Sequence, residues 1–151
     1  MKKLLLGFAM ATMVITGSMT STVQSANKVE VSQSKIVLLT NLQRKTTLTI
    51  DPDLTVIAQR RANDMAAQGY FSHVSPQGKR AWDFMKDAKY TYLSAGENLA
   101  LNYKTDKSIV NAWMKSPGHK KNIVNANYNR IGIGIAWSGP NLYVVQLFSQ
   151  K

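Results

Sequence analysis

Two apolar segments near the C-terminus constrain the fold most strongly. Residues 131–137 alternate with a period of two, and residues 142–148 are apolar on both faces. Residues 138–141, Ser-Gly-Pro-Asn, separate them as a hairpin loop. Because a strand with large side chains on both faces needs cover on both sides, we predict helices above and below a small, largely antiparallel sheet. The expected architecture is an α+β fold, a three-layer α-β-α sandwich.

Four helices are predicted before these strands, beginning near Ser34, Asp51, Gly78 and Thr105. The second is the best defined, since Asp51 is a good N-cap, Pro52 suits the first helical position and Gly69 can end the helix. Its apolar residues recur at helical spacing: Leu54, Ile57, Ala58, Ala62, Met65 and Ala66. We interpret this stripe as core. The end of the first helix is poorly defined by the sequence.

The N-terminal residues are typical of an export signal. Lys2 and Lys3 precede an apolar run over residues 4–15, and small and polar residues follow as far as Ala26. We therefore predict a cleaved signal peptide over residues 1–26, with a retained anchor as the alternative. Residues 27–34 are predicted to be a short polar tether, followed by one domain over residues 35–151. The expected location is outside the cell or at the cell envelope.

The chain is strongly basic, with a formal net charge of +11, and contains no cysteine. Stability must therefore come from a hydrophobic core rather than from disulfides. Every acidic residue lies at or before Asp106, so Lys115, Lys120 and Lys121 are predicted to form a basic surface. Anionic cell-wall polymers, lipid or surface proteins are candidate partners, and a merely solvated face is the alternative. No binding motif for nucleic acid accompanies the charge.

The rarest polar residues suggest a site. His73 and His119 are the only histidines of the chain, and Glu97 is the only glutamate of the predicted domain. Two imidazoles and one carboxylate can hold a divalent ion such as zinc, or transfer protons near neutral pH. The alternatives are structural: His73 as a surface residue capping the preceding helix, and Glu97 as a carboxylate satisfied by backbone amides.

Several short motifs occur in a characteristic order: Asp53-Leu54, Phe71-Ser72-His73, Gly96-Glu97-Asn98, Trp113 with Ser116-Pro117-Gly118-His119, Ile131-Gly132-Ile133-Gly134 and Val145-Gln146-Leu147-Phe148. Together they resemble the CAP superfamily, also called SCP-like, which groups cysteine-rich secretory, antigen 5 and pathogenesis-related 1 proteins. The chain looks like its cysteine-free bacterial branch, over roughly residues 36–148. The resemblance implies the same α-β-α sandwich.

The resemblance also implies a central cavity lined by two histidines and two acidic residues. In some members the histidines hold zinc or another divalent ion. The matching positions are His73, Glu97 and His119, whereas the fourth position is Ser116, which removes one negative charge. Ser116 before Pro117 is also suited to capping the short helix that carries His119, whose place in the first turn favours a neutral ring.

Three functions remain open. We favour a secreted binding or interaction domain with a His73-Glu97-His119 cavity. The first alternative is a metal-dependent hydrolase, in which both histidines hold an ion and Glu97 polarises a water; two protein ligands are few for a catalytic zinc, so we lean against catalysis. The second alternative is a structural polar cluster without a ligand. Asn98 is expected to serve the backbone, and Gln146 to face the cleft or pair with a neighbour.

Overall fold

The computed structural model describes residues 30–151, so the predicted signal peptide and residues 27–29 lie outside the described part. The helices are α1 (Gln33–Asn41), α2 (Pro52–Gln68), α3 (Ala81–Asp87), α4 (Asp106–Lys115) and α5 (Pro117–Ile123). The strands are β1 (Thr49–Ile50), β2 (Ser94–Leu101), β3 (Arg130–Ser138) and β4 (Asn141–Gln150). Within residues 30–151, no helix combines the length and the hydrophobicity needed to cross a membrane.

The four strands form one sheet in the order β1-β3-β4-β2. The β3–β4 and β2–β4 pairs are antiparallel, and the short β1 pairs with β3 in parallel. The predicted hairpin is confirmed, since Ser138 pairs with Asn141 across a tight turn. Strand β2 was not predicted, because its residues 94–98 are small or polar. It forms one edge of the sheet.

Helices cover both faces of the sheet, which confirms the predicted three-layer sandwich. One core cluster joins α1, α4 and α5 to one face, with Trp113 and Phe148 among its largest buried side chains. The other joins α2 and α3 to the opposite face, around Ile57, Met65 and Met85. Because both clusters and all four strands lie within residues 30–151, this region contains its own core and has the character of an independently folding domain.

Helix α2 has the predicted boundaries. The Asp51 carboxylate accepts from the backbone N–H of Leu54 at 3.0 Å, Pro52 is the first helical residue, and Gly69 ends the helix with φ of 67°. The left-handed conformation at Gly69 is one that glycine adopts without a steric penalty. The predicted stripe from Leu54 to Ala66 is buried. Helix α2 is therefore fixed at both ends and along its core face.

Residues just before the predicted boundary at residue 35 contact the rest of the structure. Glu30 forms a bridge with Thr105, and the backbone N–H of Ser32 donates to the Asp106 carboxylate at 2.7 Å. The Ser32 hydroxyl caps α1, which begins at Gln33 rather than at Ser34. Polar residues that cap a helix resemble a linker in composition. Residues 30–34 therefore pack against the described structure although their composition suggests a tether.

Two glycines of β3 allow α2 to lie directly against the sheet. A Cβ atom at Gly134 would lie 2.1 Å from the backbone oxygen of Ala58, and one at Gly132 would lie 2.4 Å from the backbone carbon of Leu54. Both contacts are with backbone atoms, which cannot rotate away as a flexible side chain can. The glycines thus set the distance between α2 and the sheet.

We predict that Gly134→Ala destabilises the fold by about 3 kcal/mol, since overpacking at a rigid contact costs ~1–3 kcal/mol and here the helix must move. Gly118→Ala is the matched control, because a Cβ at Gly118 meets nothing within 4 Å. In helix α5 that change should be neutral or stabilise by up to about 1 kcal/mol. Urea unfolding of both variants measures the difference, and equal stabilities would contradict the close approach.

Candidate functional site

The site lies at the open edge of strand β2, where the two helical layers meet. Successive side chains of a strand point to opposite faces. Glu97 accordingly faces α2, whereas Asn98 faces α5 and the neighbouring Gln146. A strand at the centre of the sheet would separate the two layers. The edge position lets side chains from both layers approach the same part of β2.

Arg61 of α2 holds Glu97 from inside the protein. The Arg61 side chain is fully buried, and its Nε donates to Glu97 Oε1 at 3.2 Å. Its Nη2 donates to the backbone oxygen of Ser72 at 2.7 Å, so the same guanidinium also fixes the loop that carries His73. A buried ion pair is costly to break, because the remaining charge loses its partner.

Asp64 and Tyr70 complete the surroundings of Arg61. The Tyr70 hydroxyl accepts from Arg61 Nη1 and donates to Asp64, and Asp64 lies 3.8 Å from the guanidinium. Burial, together with the hydrogen bond to Asp64, raises the pKa of Tyr70 to about 12. Tyr70 therefore stays protonated. The guanidinium is matched by two carboxylates, one hydroxyl and one carbonyl.

His73 extends this network to the surface. Its Nδ1 lies 2.6 Å from Glu97 Oε2, and 58% of its side chain is exposed. The hydrogen bond to Glu97 raises the pKa of His73 above 6.5, although burial opposes the shift. Glu97 thus uses one oxygen for Arg61 and the other for His73. Its carboxylate is satisfied by two side chains, not by the backbone amides considered in the structural alternative.

His119 approaches from the other layer. It is half-buried on α5, and its backbone oxygen accepts from Asn98 Nδ2 at 3.2 Å. Burial, and secondarily the positive charge of His73, lowers the pKa of His119 below 6.5. The direction agrees with the neutral ring expected from the sequence, but the cause differs from the helix dipole invoked there. The pKa values of the two histidines are therefore shifted in opposite directions.

Ser116 occupies the predicted position between α4 and α5, but its hydroxyl makes no capping hydrogen bond. The prediction of a side-chain cap is wrong in this respect. The backbone oxygen of Ser116 accepts from Lys120 at 2.8 Å, and Pro117 follows with no N–H to satisfy. The turn is therefore made by the main chain.

A cleft of about 430 Å³ opens beside His73 and Glu97. It is lined by His73, Val74, Arg80, Ala81, Trp82, Ala95, Gly96, Glu97 and Asn122. Within residues 30–151, neither His119 nor Ser116 lines this cleft. The sequence indicated neither Arg80 nor Trp82 as site residues. The cleft combines cationic groups with an indole ring.

Asn122 and Gln146 brace the other face of β2. Asn122 Nδ2 donates to the backbone oxygen of Glu97 at 3.1 Å and to Asn98 Oδ1 at 2.9 Å. Gln146 is fully buried, accepting from Asn98 at 3.0 Å and donating to the Thr40 hydroxyl at 2.8 Å. Of the two expectations for Gln146, the structure shows pairing with neighbours. These hydrogen bonds fix the main chain of β2 at Glu97 on the face opposite Arg61.

The donor set for a metal ion is small. Among residues 30–151, no group of three or more histidine, aspartate and glutamate side chains is arranged to hold an ion. His73 and His119 are the two imidazole donors of the sequence. Because Glu97 engages Nδ1 of His73, Nε2 is the nitrogen left for a ligand. Two imidazoles are fewer than the three or four protein ligands usual for zinc, so these residues do not fit a closed four-ligand site.

The predicted basic residues lie on the layer formed by α1, α4 and α5. Lys115 is in the last turn of α4, and Lys120 and Lys121 are in the last turn of α5. All three side chains are exposed. They do not line the cleft described above.

Arg61 was not predicted as a site residue, although the sequence contains a signal for it. Helical spacing places residue 61 on the apolar stripe, four residues after Ile57 and four before Met65. A charged residue on a core face requires a partner, and such residues are almost never buried unpaired. This inconsistency would have identified Arg61, and Glu97 is the carboxylate it pairs with.

Comparison with known proteins identifies the family of this chain. The model of the CAP family, the cysteine-rich secretory protein family, matches residues 42–148. The chain belongs to this family. The Bacillus subtilis protein YkwD is 40% identical over 129 residues, which are 82% of this chain and 50% of YkwD. The B. subtilis membrane protein YlbC is 32% identical over 108 residues, which are 69% of this chain and 31% of YlbC.

A solved structure is also similar. An extracellular protein from Bacillus anthracis that contains an SCP domain matches with a TM-score of 0.73 and 28% identity, over 79% of this chain and 40% of that one. The chain spans half the length of YkwD and smaller shares of YlbC and the B. anthracis protein. The similarity therefore concerns one domain of longer relatives.

We predict that the two histidines titrate on opposite sides of pH 6.5, His73 above and His119 below. NMR titration of the ring protons measures both values, and the single variants His73→Ala and His119→Ala assign the signals. In Glu97→Gln the pKa of His73 should fall, since its largest cause is removed. In His73→Ala the pKa of His119 should rise only partly, because burial remains. Coincident titrations near 6.5 would contradict the His73–Glu97 bond.

The pKa shifts of His73 and His119 make the stability of the fold depend on pH in opposite directions. The contribution of the His73–Glu97 bond is complete below pH 6.5 and is lost as the pH rises through the raised pKa of His73. The contribution of neutral His119 is complete above pH 6.5 and declines as the pH falls through its lowered pKa. Thermal melts of the two single variants against pH should separate these trends.

Proposed function

We propose that this protein is an exported binding domain whose cleft beside His73 recognises an anionic ligand. The observation that carries the proposal is that both oxygens of Glu97 are engaged, one by the Arg61 guanidinium and the other by the His73 imidazole. A carboxylate held in this way, with the residue only 7% exposed, is poorly placed to act as a general base on water. It is well placed to hold His73 in position with a positive charge. The geometry therefore supports binding over catalysis.

The composition of the cleft supports an anionic ligand. The raised pKa of His73 favours its charged form, and the exposed Arg80 contributes a second cation to the lining. Trp82 offers an aromatic ring and Asn122 an amide beside them. A cation, an amide and an indole together suit a ligand with acidic groups on a sugar or peptide framework. Anionic cell-wall polymers are the candidate class.

Export is part of the proposal. It rests on the leader-like residues 1–26 and on the similarity to a B. anthracis protein described as extracellular. The net charge of +11 adds a long-range attraction for polyanions outside the cell. Secretion or attachment at the cell envelope would bring the domain into contact with cell-wall polymers.

We predict that His73→Gln and Arg80→Gln each weaken binding to purified cell walls by about tenfold or more, the loss expected for one charge-assisted hydrogen bond of ~1.5–3 kcal/mol. Co-sedimentation with walls that retain their acidic polymers, and with walls stripped of them, measures the effect. Arg60→Gln is the control, since it removes an equal charge from an exposed position that does not line the cleft. Equal losses in all three variants would show charge attraction without a site.

A second candidate function is a divalent-ion site held by His73 and His119. The observation that favours it is the His73–Glu97 hydrogen bond, because a carboxylate on one ring nitrogen orients the imidazole and raises its basicity as a ligand. A bound ion would supply positive charge to the cleft and polarise an acidic ligand there. His73 would have to lose its proton first, so such binding would strengthen as the pH rises.

Metal analysis of residues 27–151, purified without a histidine tag, tests this second function. If the ion site exists, zinc should raise the melting temperature of the wild type at pH 8, and neither His73→Ala nor His119→Ala should respond. A melting temperature that zinc leaves unchanged, with variants that are merely less stable, would indicate a structural cluster.

A further inference from the structure

A second surface, formed by the C-terminal ends of α1 and α5, is both apolar and basic. We define the α1–α5 face as Leu38, Leu42 and Lys45 from α1 and the loop after it, with Lys120, Lys121 and Val124 from α5. The exposures of Leu38, Leu42 and Val124 are 60%, 69% and 45%. None of the six residues lines the cleft beside His73.

The two parts of this face are joined by Arg44. Its guanidinium donates to the backbone oxygens of Asn125 and Tyr128, both at 2.9 Å, and also to that of Ile123. These carbonyls follow the end of α5, so Arg44 fixes the loop after α1 against the loop after α5. A groove of about 560 Å³ lies at this junction, lined by residues 43–46 with Val124 and Ala126. The face is therefore a fixed surface.

Its charge has one sign. Residues 31–50 and 107–151 contain no aspartate or glutamate. Asp106, the first residue of α4 and the one acid of α4 and α5, is buried and accepts from the backbone N–H of Ser32. Lys45, Lys120 and Lys121 consequently have no acidic neighbour within either segment. A solvated face usually mixes both signs and does not need leucines that are more than half exposed.

We propose that the α1–α5 face docks onto the surface of a lipid bilayer that contains anionic lipids. The lysines complement the negative headgroups, and Leu38, Leu42 and Val124 enter the boundary between headgroups and acyl chains. A soluble polyanion would use the lysines but would gain nothing from the leucines. A second copy of the chain would bring lysines against lysines. The combination of exposed leucines with unbalanced lysines favours the membrane over both.

Vesicle co-sedimentation with residues 27–151 tests the proposal. The wild type should bind vesicles of phosphatidylcholine with one third phosphatidylglycerol, release as salt rises, and leave pure phosphatidylcholine vesicles unbound. Lys120→Gln with Lys121→Gln should lower the partition coefficient about 25-fold, since one lysine near an anionic surface contributes about fivefold. Leu38→Ser with Leu42→Ser should lower it by roughly tenfold.

Matched controls come from the α2–α3 layer and from an isolated apolar residue. Arg60→Gln with Lys86→Gln removes the same charge, and Leu93→Ser removes a leucine that is 79% exposed elsewhere. Both controls should change binding less than about threefold. The proposal is overturned if the wild type does not bind, if the controls lose as much as their counterparts, or if the leucine variant binds normally, which would indicate a polyanion site. It is also overturned if sedimentation shows a dimer that the leucine variant dissociates.

Discussion

The buried ion pair between Arg61 and Glu97 is the interaction on which the rest of the site depends. It joins α2 to the edge strand β2 at 3.2 Å, and the same guanidinium fixes the loop before His73 through the Ser72 carbonyl. Removal of either partner would leave a buried charge with only its weaker partner, Asp64 for Arg61 or the exposed His73 for Glu97, and would therefore destabilise the fold. Because Glu97 is anchored from within, its second oxygen can position a histidine that is largely exposed. The buried ion pair thus fixes the position of the His73 side chain at the surface.

The sheet topology explains why this arrangement is possible. With the order β1-β3-β4-β2, β2 has a neighbour on one side only. Side chains from α2 and from α5 can then reach the same strand from opposite faces, and Asn122 and Arg61 hold it from either side. The two glycines of β3 bring α2 close enough to the sheet for Arg61 to reach Glu97. The packing of α2 against the sheet and the position of Glu97 therefore both depend on how α2 is held.

Much of the fold could be predicted from the sequence, because its signals are local. The two-sided apolar β4, the capped α2 and the hairpin turn were each visible in a short window. The contacts of the site were harder, since Arg61 and Glu97 are 36 residues apart and no local pattern pairs them. Strand β2 was missed because its polar residues face other polar side chains in the interior. His73, His119 and Glu97 were found by their rarity and by family resemblance. Trp82 and Arg80 had neither signal.

The proposed ligand recognition depends on the charge of His73, and the pH dependence of affinity tests this most directly. Calorimetric titration of a soluble, acidic cell-wall fragment into residues 27–151 should give an affinity that falls as the pH rises. The midpoint should coincide with the pKa of His73 measured by NMR, and it should move to lower pH in Glu97→Gln. An affinity that is constant across this range, or a midpoint that Glu97→Gln does not move, would contradict this role of His73.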